Sequence, residues 1–265
     1  VLLFDCGPAC VRRLLEKGVD LREISRLFLT HLHYDHCVDY SYLVLTRWDQ
    51  GVGKIPDLQV CGPSPLARIT EQLFGAAGIY GPDLAARTQH PGSHFIYEMR
   101  GGQLPRQRPL PAVTEVGEGS VVEGKGWRLE TAEVVHCQPQ LTCLAYRLTT
   151  EECTVVFGGD TAPTPRLTEL ARGADVLLHM CHFDNCAITD HRMTDCCSGH
   201  LDAARTARDA AVGTLVLVHI TEQLESPGVR ERVIGEVGQI FDGHVVFGAD
   251  LLEVPLGPIT TGVIR

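Results

Sequence analysis

Four side chains able to hold a metal ion fall within six residues, His31, His33, Asp35 and His36, in the run Thr30-His31-Leu32-His33-Tyr34-Asp35-His36. The run follows an apolar, strand-like stretch at residues 26–30, where the backbone can turn and aim alternate side chains into one cavity. Imidazoles and a carboxylate suit Zn²⁺ or Fe, and the lack of regularly spaced cysteines nearby argues against a closed structural zinc site. Three more residues of this kind stand at or just beyond the ends of apolar runs: His136 after Val134-Val135, Asp160 after Phe157-Gly158-Gly159, and His219 after residues 215–218. Taken singly, Asp160 reads equally well as a turn residue, and either histidine as a satisfied core residue. Their shared position sets them apart, because strands lying side by side would gather all seven on one rim.

The Thr-His-x-His-x-Asp-His run after a hydrophobic strand resembles the signature of the metallo-β-lactamase superfamily. Further matches appear in order along the chain: Asp5-Cys6-Gly7 resembles the family's early Asp-x-Gly turn, and Gly159-Asp160-Thr161 its Gly-Asp-Thr. The resemblance implies an α/β fold, the αββα sandwich, and a site for two divalent metal ions, Zn²⁺ first with Mn²⁺ or Fe as alternatives. It implies that His31, His33 and His136 bind one ion, that Asp35, His36 and His219 bind the other, and that Asp160 bridges them. Two such cations would lower the pKa of a bridging water, so that hydroxide attacks at neutral pH, with Asp35 as ligand and acceptor of the water's proton.

Within the superfamily, Ser198-Gly199-His200-Leu201-Asp202-Ala203-Ala204 resembles the histidine-led helix of the tRNA 3′-processing and arylsulfatase-like phosphodiesterase branch. This makes His200 the candidate to protonate the leaving group, against a capping or surface histidine. His179 and His182 follow a strand where that branch carries a His-Glu pair, with Met180 here in place of the Glu. The processing enzymes carry a long basic arm between the third histidine and the bridging Asp; here 160 − 136 = 24 positions separate them, which leaves no room for it. The excess length lies at residues 75–111, rich in Gly and Pro, and is expected to be a loop or lid. Its Arg100, Arg106 and Arg108 could meet an anionic substrate, although a solvated face explains them as well. Trp48, Tyr80, Phe95 and Tyr97 could line an apolar pocket or simply pack in the core. The leading expectation is hydrolysis of a small phosphodiester, sulfate ester or related ester. A lactonase or β-lactamase, a tRNA 3′-processing endonuclease and a non-catalytic metal-binding protein are the alternatives.

The 265 residues, 44% hydrophobic and 21% charged, can bury a large core in a single domain. A net charge of −10 would repel a phosphate backbone, which disfavours nucleic acid as partner. No apolar stretch is long enough to span a bilayer, and a homodimer stays open. The 11 cysteines suggest reduced thiols and a cytoplasmic protein. The dense group Cys181, Cys186, Cys196 and Cys197 has no standard zinc spacing and reads as small buried hydrophobes. The chain enters abruptly on a strand, so one or two N-terminal strands of the fold are expected to be missing. Further strands are expected at residues 58–61, 127–135, 142–148, 153–157, 176–178, 245–247 and 251–254, with helices at 8–17, 37–46, 66–74 and 201–211.

Overall fold

Parallel strands that end in polar turns organise both halves of the chain. The computed structural model describes residues 1–256. It divides into two compact units, Val1–Val116 and Gly117–Arg265.

The first unit runs β1 (Leu2–Phe4), α1 (Cys10–Glu16), β2 (Arg26–Phe28), α2 (Tyr34–Cys37), α3 (Tyr40–Gly51), β3 (Gln59–Gly62), α4 (Leu66–Phe74), α5 (Gly81–Gln89), α6 (Pro91–Met99) and β4 (Ala112–Glu115). The strands form a parallel sheet in the order β1-β2-β3-β4. Its register aligns Leu3, Leu27, Val60 and Val113 in one row. Because side chains alternate along a strand, this row shares one face. There it belongs to a core with Val11 of α1, Leu43 and Val44 of α3, and Leu66 and Phe74 of α4.

Residues 75–111 depart from the expected loop, since about half of them lie in α5 and α6. Pro82 and Pro91 stand in the first turns of these helices, where the missing N–H costs nothing. Gly and Pro therefore punctuate helices here rather than dissolve them. Asp49 of α3 holds Arg100 at 2.9 Å and Arg106 at 2.7 Å. The Arg106 guanidinium lies over the Trp48 ring at 4.0 Å and near Tyr97 at 4.8 Å. Arg108 reaches the Gly81 carbonyl at 3.3 Å. Two of the three arginines considered for an anionic substrate thus tie the insertion to α3. Of the aromatic set, Tyr97 is buried, Tyr80 stacks on Phe74 with centroids 6.0 Å apart, and Phe95 is exposed.

The second unit runs β5 (Val121–Gly124), β6 (Trp127–Val134), β7 (Cys143–Thr150), β8 (Thr154–Phe157), α7 (Pro165–Leu170), β9 (Val176–Met180), α8 (His191–Thr194), α9 (His200–Ala210), β10 (Thr214–Val218), α10 (Glu222–Glu225), α11 (Val229–Gly238) and β11 (His244–Phe247). Its seven-stranded sheet has the order β11-β10-β9-β8-β7-β6-β5, antiparallel from β5 to β8 and parallel from β8 to β11. Val156, Leu177 and Leu215 form a cross-strand row under α7, α9 and α11. Ala203, Ala204, Ala207 and Ala210 give α9 a face of methyl groups toward that core, and all four are fully buried.

Sequence patterning did not reveal β4, β5, α7 or α11. The strands alternate exposed with half-buried positions and so carry no apolar run. The strand expected at 251–254 does not form; those residues lie in a turn and irregular chain.

Gly7 ties this scaffold to the histidine run. Cys6 N–H donates to the His36 carbonyl at 2.7 Å, and Asp39 N–H donates to the Cys6 carbonyl at 2.9 Å. A Cβ on Gly7 would run into the Asp35 carbonyl oxygen. Gly7→Ala is expected to destabilise the fold by about 1–3 kcal/mol through overpacking. Gly235→Ala, in α11 with open space around the added methyl, is expected to stabilise it by about 0.5–1 kcal/mol. Urea denaturation of the two variants checks the contrast; equal midpoints would show that the Gly7 turn yields freely.

Candidate metal centre

In the first unit, Asp5 follows β1 and Thr30-His31 follows β2. The strands are parallel neighbours, so the two turns meet at the same edge of the sheet. The Asp5 carboxylate accepts hydrogen bonds from Thr30 N–H at 2.8 Å, from Thr30 Oγ1 at 2.9 Å and from His36 Nδ1 at 2.8 Å. An ionised carboxylate can only accept. The Thr30 hydroxyl therefore gives its proton to Asp5 and accepts from His31 Nδ1–H, 3.0 Å away. Both His31 and His36 are thereby held with the proton on Nδ1 and the lone pair on Nε2, the form in which imidazole binds a metal.

His31 Nε2 and His33 Nδ1 face each other at 3.0 Å. Two ligands about 2.0–2.1 Å from a tetrahedral ion are separated by roughly 3.3 Å, so this pair has the spacing of two ligands on one ion. Asp35, in the first turn of α2, places Oδ2 3.8 Å from His36 Nε2.

In the second unit, the C-terminal ends of β6, β8, β9 and β10 share an edge, because β6 and β8 both run antiparallel to β7 and the rest are parallel. His136, Asp160, His182 and His219 follow these four strands in order. The buried Asp160 carboxylate lies 3.1 Å from His219 Nε2 and 3.8 Å from His136 Nε2. His136 Nδ1 donates to the Cys196 carbonyl at 2.7 Å, which leaves Nε2 as the lone-pair nitrogen on the side of Asp160. His219 Nδ1 meets His182 Nδ1 at 3.2 Å. With Nδ1 of His219 donating, Nε2 again carries the lone pair. The donor chemistry of both units thus fits divalent metal ions.

The sequence leaves His182 without a firm role, and the structure gives it this contact. Its place just after β9 was the available signal. His179 is instead fully buried, donates from Nδ1 to the Met180 carbonyl at 2.9 Å, and burial pushes its pKa down, as for a neutral core histidine.

His200 lies in a different cluster of the same unit. It is fully buried, its Nε2 is 2.7 Å from Glu236 of α11, and its Nδ1 accepts from Asn185 N–H at 3.4 Å. Arg232 pairs with both Asp184 and Glu236, at 2.5 and 3.0 Å, and its hydrogen bond holds the Glu236 carboxyl below the usual range. With both ring nitrogens engaged there, His200 is not placed beside His136, Asp160 and His219. The structure thus gives it buried polar contacts with Glu236 and Asn185 where the sequence suggested a proton donor. A cavity of about 530 Å³ in the first unit, lined by Trp48, Tyr97 and Arg108 among others, includes Leu58 and Pro111 at the starts of β3 and β4. It sits at the opposite strand ends from the histidine run. All 11 cysteines are free thiols, and no helix among the described residues is long and apolar enough to cross a membrane.

Comparison with known proteins identifies the family and the fold. The model of the beta-lactamase superfamily domain matches residues 1–220. The ribonuclease Z of Mycobacterium bovis (strain BCG / Pasteur 1173P2) is 30% identical over 262 residues, covering 97% of this chain and 88% of that protein. Among solved structures, the metallo-beta-lactamase fold protein YhfI from Bacillus subtilis aligns with a TM-score of 0.69 at 20% identity, over 94% of this chain and 85% of that one. Human tRNase Z, short form, aligns with a TM-score of 0.64 at 17% identity, over 96% and 88%. The chain belongs to the beta-lactamase superfamily of metal-dependent hydrolases, and within it to the ribonuclease Z family. Against the expectation that charge disfavours nucleic acid, relatives of matching length bear the name of a ribonuclease.

The Asp5 network yields a direct test. Asp5→Asn offers one acceptor where two oxygens served, and is expected to weaken metal retention by roughly 10–100-fold, the usual effect of losing a partner that orients a ligand histidine. His182→Ala should act similarly, with His182→Gln recovering part of the loss because its carbonyl can accept from His219. Chelator competition monitored by metal analysis checks both; unchanged retention in Asp5→Asn would refute the orienting role.

Proposed function

We propose that this chain is a dinuclear metal phosphodiesterase that cuts RNA at the 3′ end of precursor tRNA. The observation that carries the reading is 30% identity across 97% of the chain to proteins named ribonuclease Z. Support comes from His31, His36 and His136, whose Nδ1 partners leave the lone pair on Nε2, the nitrogen a metal would take. In this reading the two units are halves of one cytoplasmic hydrolase domain. His31, His33 and His136 take one ion, Asp35, His36 and His219 the other, and Asp160 is shared. Zn²⁺ is the first candidate for both.

Bound metals would supply an activated water at neutral pH and neutralise charge on the phosphate. The chain's own residues have separable tasks. Asp35 is the carboxylate positioned to accept the proton of the attacking water. Asp5, Thr30, His182 and the Cys196 carbonyl hold the ligand rings in the required tautomers. His182 replaces His200 as the histidine nearest the ligands in its unit.

A second reading, hydrolysis of a small phosphodiester, keeps the same metals and Asp35. It is favoured by the separation of His136 from Asp160, 160 − 136 = 24 positions, which holds only the β7–β8 hairpin and its flanking turns.

The metal-loaded protein offered precursor tRNA, bis(p-nitrophenyl) phosphate, p-nitrophenyl sulfate and a lactone separates these readings. Cleavage at the tRNA 3′ boundary is the expected result. Hydrolysis of the phosphodiester with the RNA left intact would favour the small substrate, and activity on the sulfate or lactone alone would overturn phosphodiester chemistry. Asp160→Ala is expected to lose metal and activity together, by more than the roughly 10–100-fold typical of an outer partner. Retention of two metals by that variant would show that Asp160 is not the shared ligand.

A further inference from the structure

The thiols of Cys196 and Cys197 lie 3.7 Å apart, and the peptide group joining these residues is the one that holds His136. We propose that Cys196 and Cys197 form an oxidative modification site: conversion to a vicinal disulfide turns their shared peptide and withdraws its carbonyl from the His136 ring.

The geometry couples the two events. The acceptor of His136 Nδ1–H is the Cys196 carbonyl oxygen, at 2.7 Å. The carbon that bears this oxygen is a member of the eight-membered ring that a Cys196–Cys197 bridge would close. A disulfide needs its sulfurs about 2.05 Å apart, so the thiols must approach by roughly 1.7 Å. The α-carbons cannot help, because a trans peptide fixes them about 3.8 Å apart. The sulfurs approach by rotation about the Cα–Cβ bonds, and closing so small a ring also constrains ψ of Cys196 and φ of Cys197, which turns the peptide between them. That turn of the peptide strains Cys197 N–H, which donates to the Met193 carbonyl at 2.9 Å. A bridge with α-carbons closer than the usual 4.4–6.8 Å is strained and hence readily reduced, the property of a reversible disulfide rather than a structural one.

The chemistry needs a peroxide. Cys196, the less buried of the two, attacks the peroxide oxygen and becomes a sulfenic acid as one water leaves. The Cys197 sulfur then displaces the hydroxyl from that sulfenic sulfur, forming the S–S bond and releasing a second water. Two thiols lose two electrons and two protons in all, and one hydrogen peroxide is reduced to two waters. Cys137 borders His136 on the other side and is the competing partner for Cys196.

The consequence for metal rests on the proposed role of His136 as a ligand, whereas the bridge and the ring's release do not. The test treats the metal-loaded full chain with hydrogen peroxide and reads intact mass, peptide mapping, nitrogen NMR of the His136 ring and metal retention against a chelator. Expected are loss of two hydrogens, a bridge mapped to Cys196–Cys197, loss of the Nδ1–H···O signature of His136, and metal retention weakened roughly 10–100-fold. Dithiothreitol should reverse all four, and Cys197→Ala should show none. Unreacted thiols, a bridge mapped to Cys137, or a Cys196–Cys197 bridge that leaves the His136 signal unchanged would each overturn the proposal. Reduced His136→Ala keeps the two readings distinct: if it holds metal like the parent, the ligand assignment fails, while mass and NMR still judge the switch.

Discussion

One carboxylate, that of Asp5, sets the state of two imidazoles at once. It takes the His36 ring directly and the His31 ring through the Thr30 hydroxyl. Because the carboxylate only accepts, the direction of every hydrogen bond in the chain is fixed, and so is the nitrogen that each histidine offers to a metal. The sheet makes this possible. Asp5 and Thr30 lie beyond the ends of neighbouring parallel strands, and the Asp5 backbone N–H donates to the Phe28 carbonyl at 2.8 Å, so the carboxylate is brought to Thr30 by strand pairing itself.

The second unit solves the same problem with different groups. A main-chain carbonyl serves His136 and another imidazole serves His219. Neither partner is a carboxylate. A carbonyl acceptor depends on where the backbone runs, so the orientation of the His136 ring is tied to the path of the chain between α8 and α9.

The residues proposed as ligands stood out in the sequence because His31, His136, Asp160 and His219 come at or just beyond apolar runs, and strands appear where those runs do. The partners of those ligands were less legible. Asp5 stood out through its Asp-x-Gly turn, but the Cys196 carbonyl has no side-chain signature at all. His200 misled for a related reason: its partner Glu236 is 36 positions further on, in a helix the hydrophobic pattern did not announce. The segment at 75–111 was read by its Gly and Pro content, yet what fixes it is Asp49, an unremarkable helix residue that collects Arg100 and Arg106 from far along the chain.

The alanine face of α9 bears on which substitutions a population carrying this gene could tolerate. Four methyl groups bring the helix against the sheet with no spare volume, so a larger side chain at any of them overpacks the core at about 1–3 kcal/mol. Domains of this kind have only about 5–15 kcal/mol of stability to lose. Inherited variants that silence the protein should therefore fall along this helix as well as among the residues proposed to hold metal, and those along the helix would act by lowering its abundance rather than its chemistry.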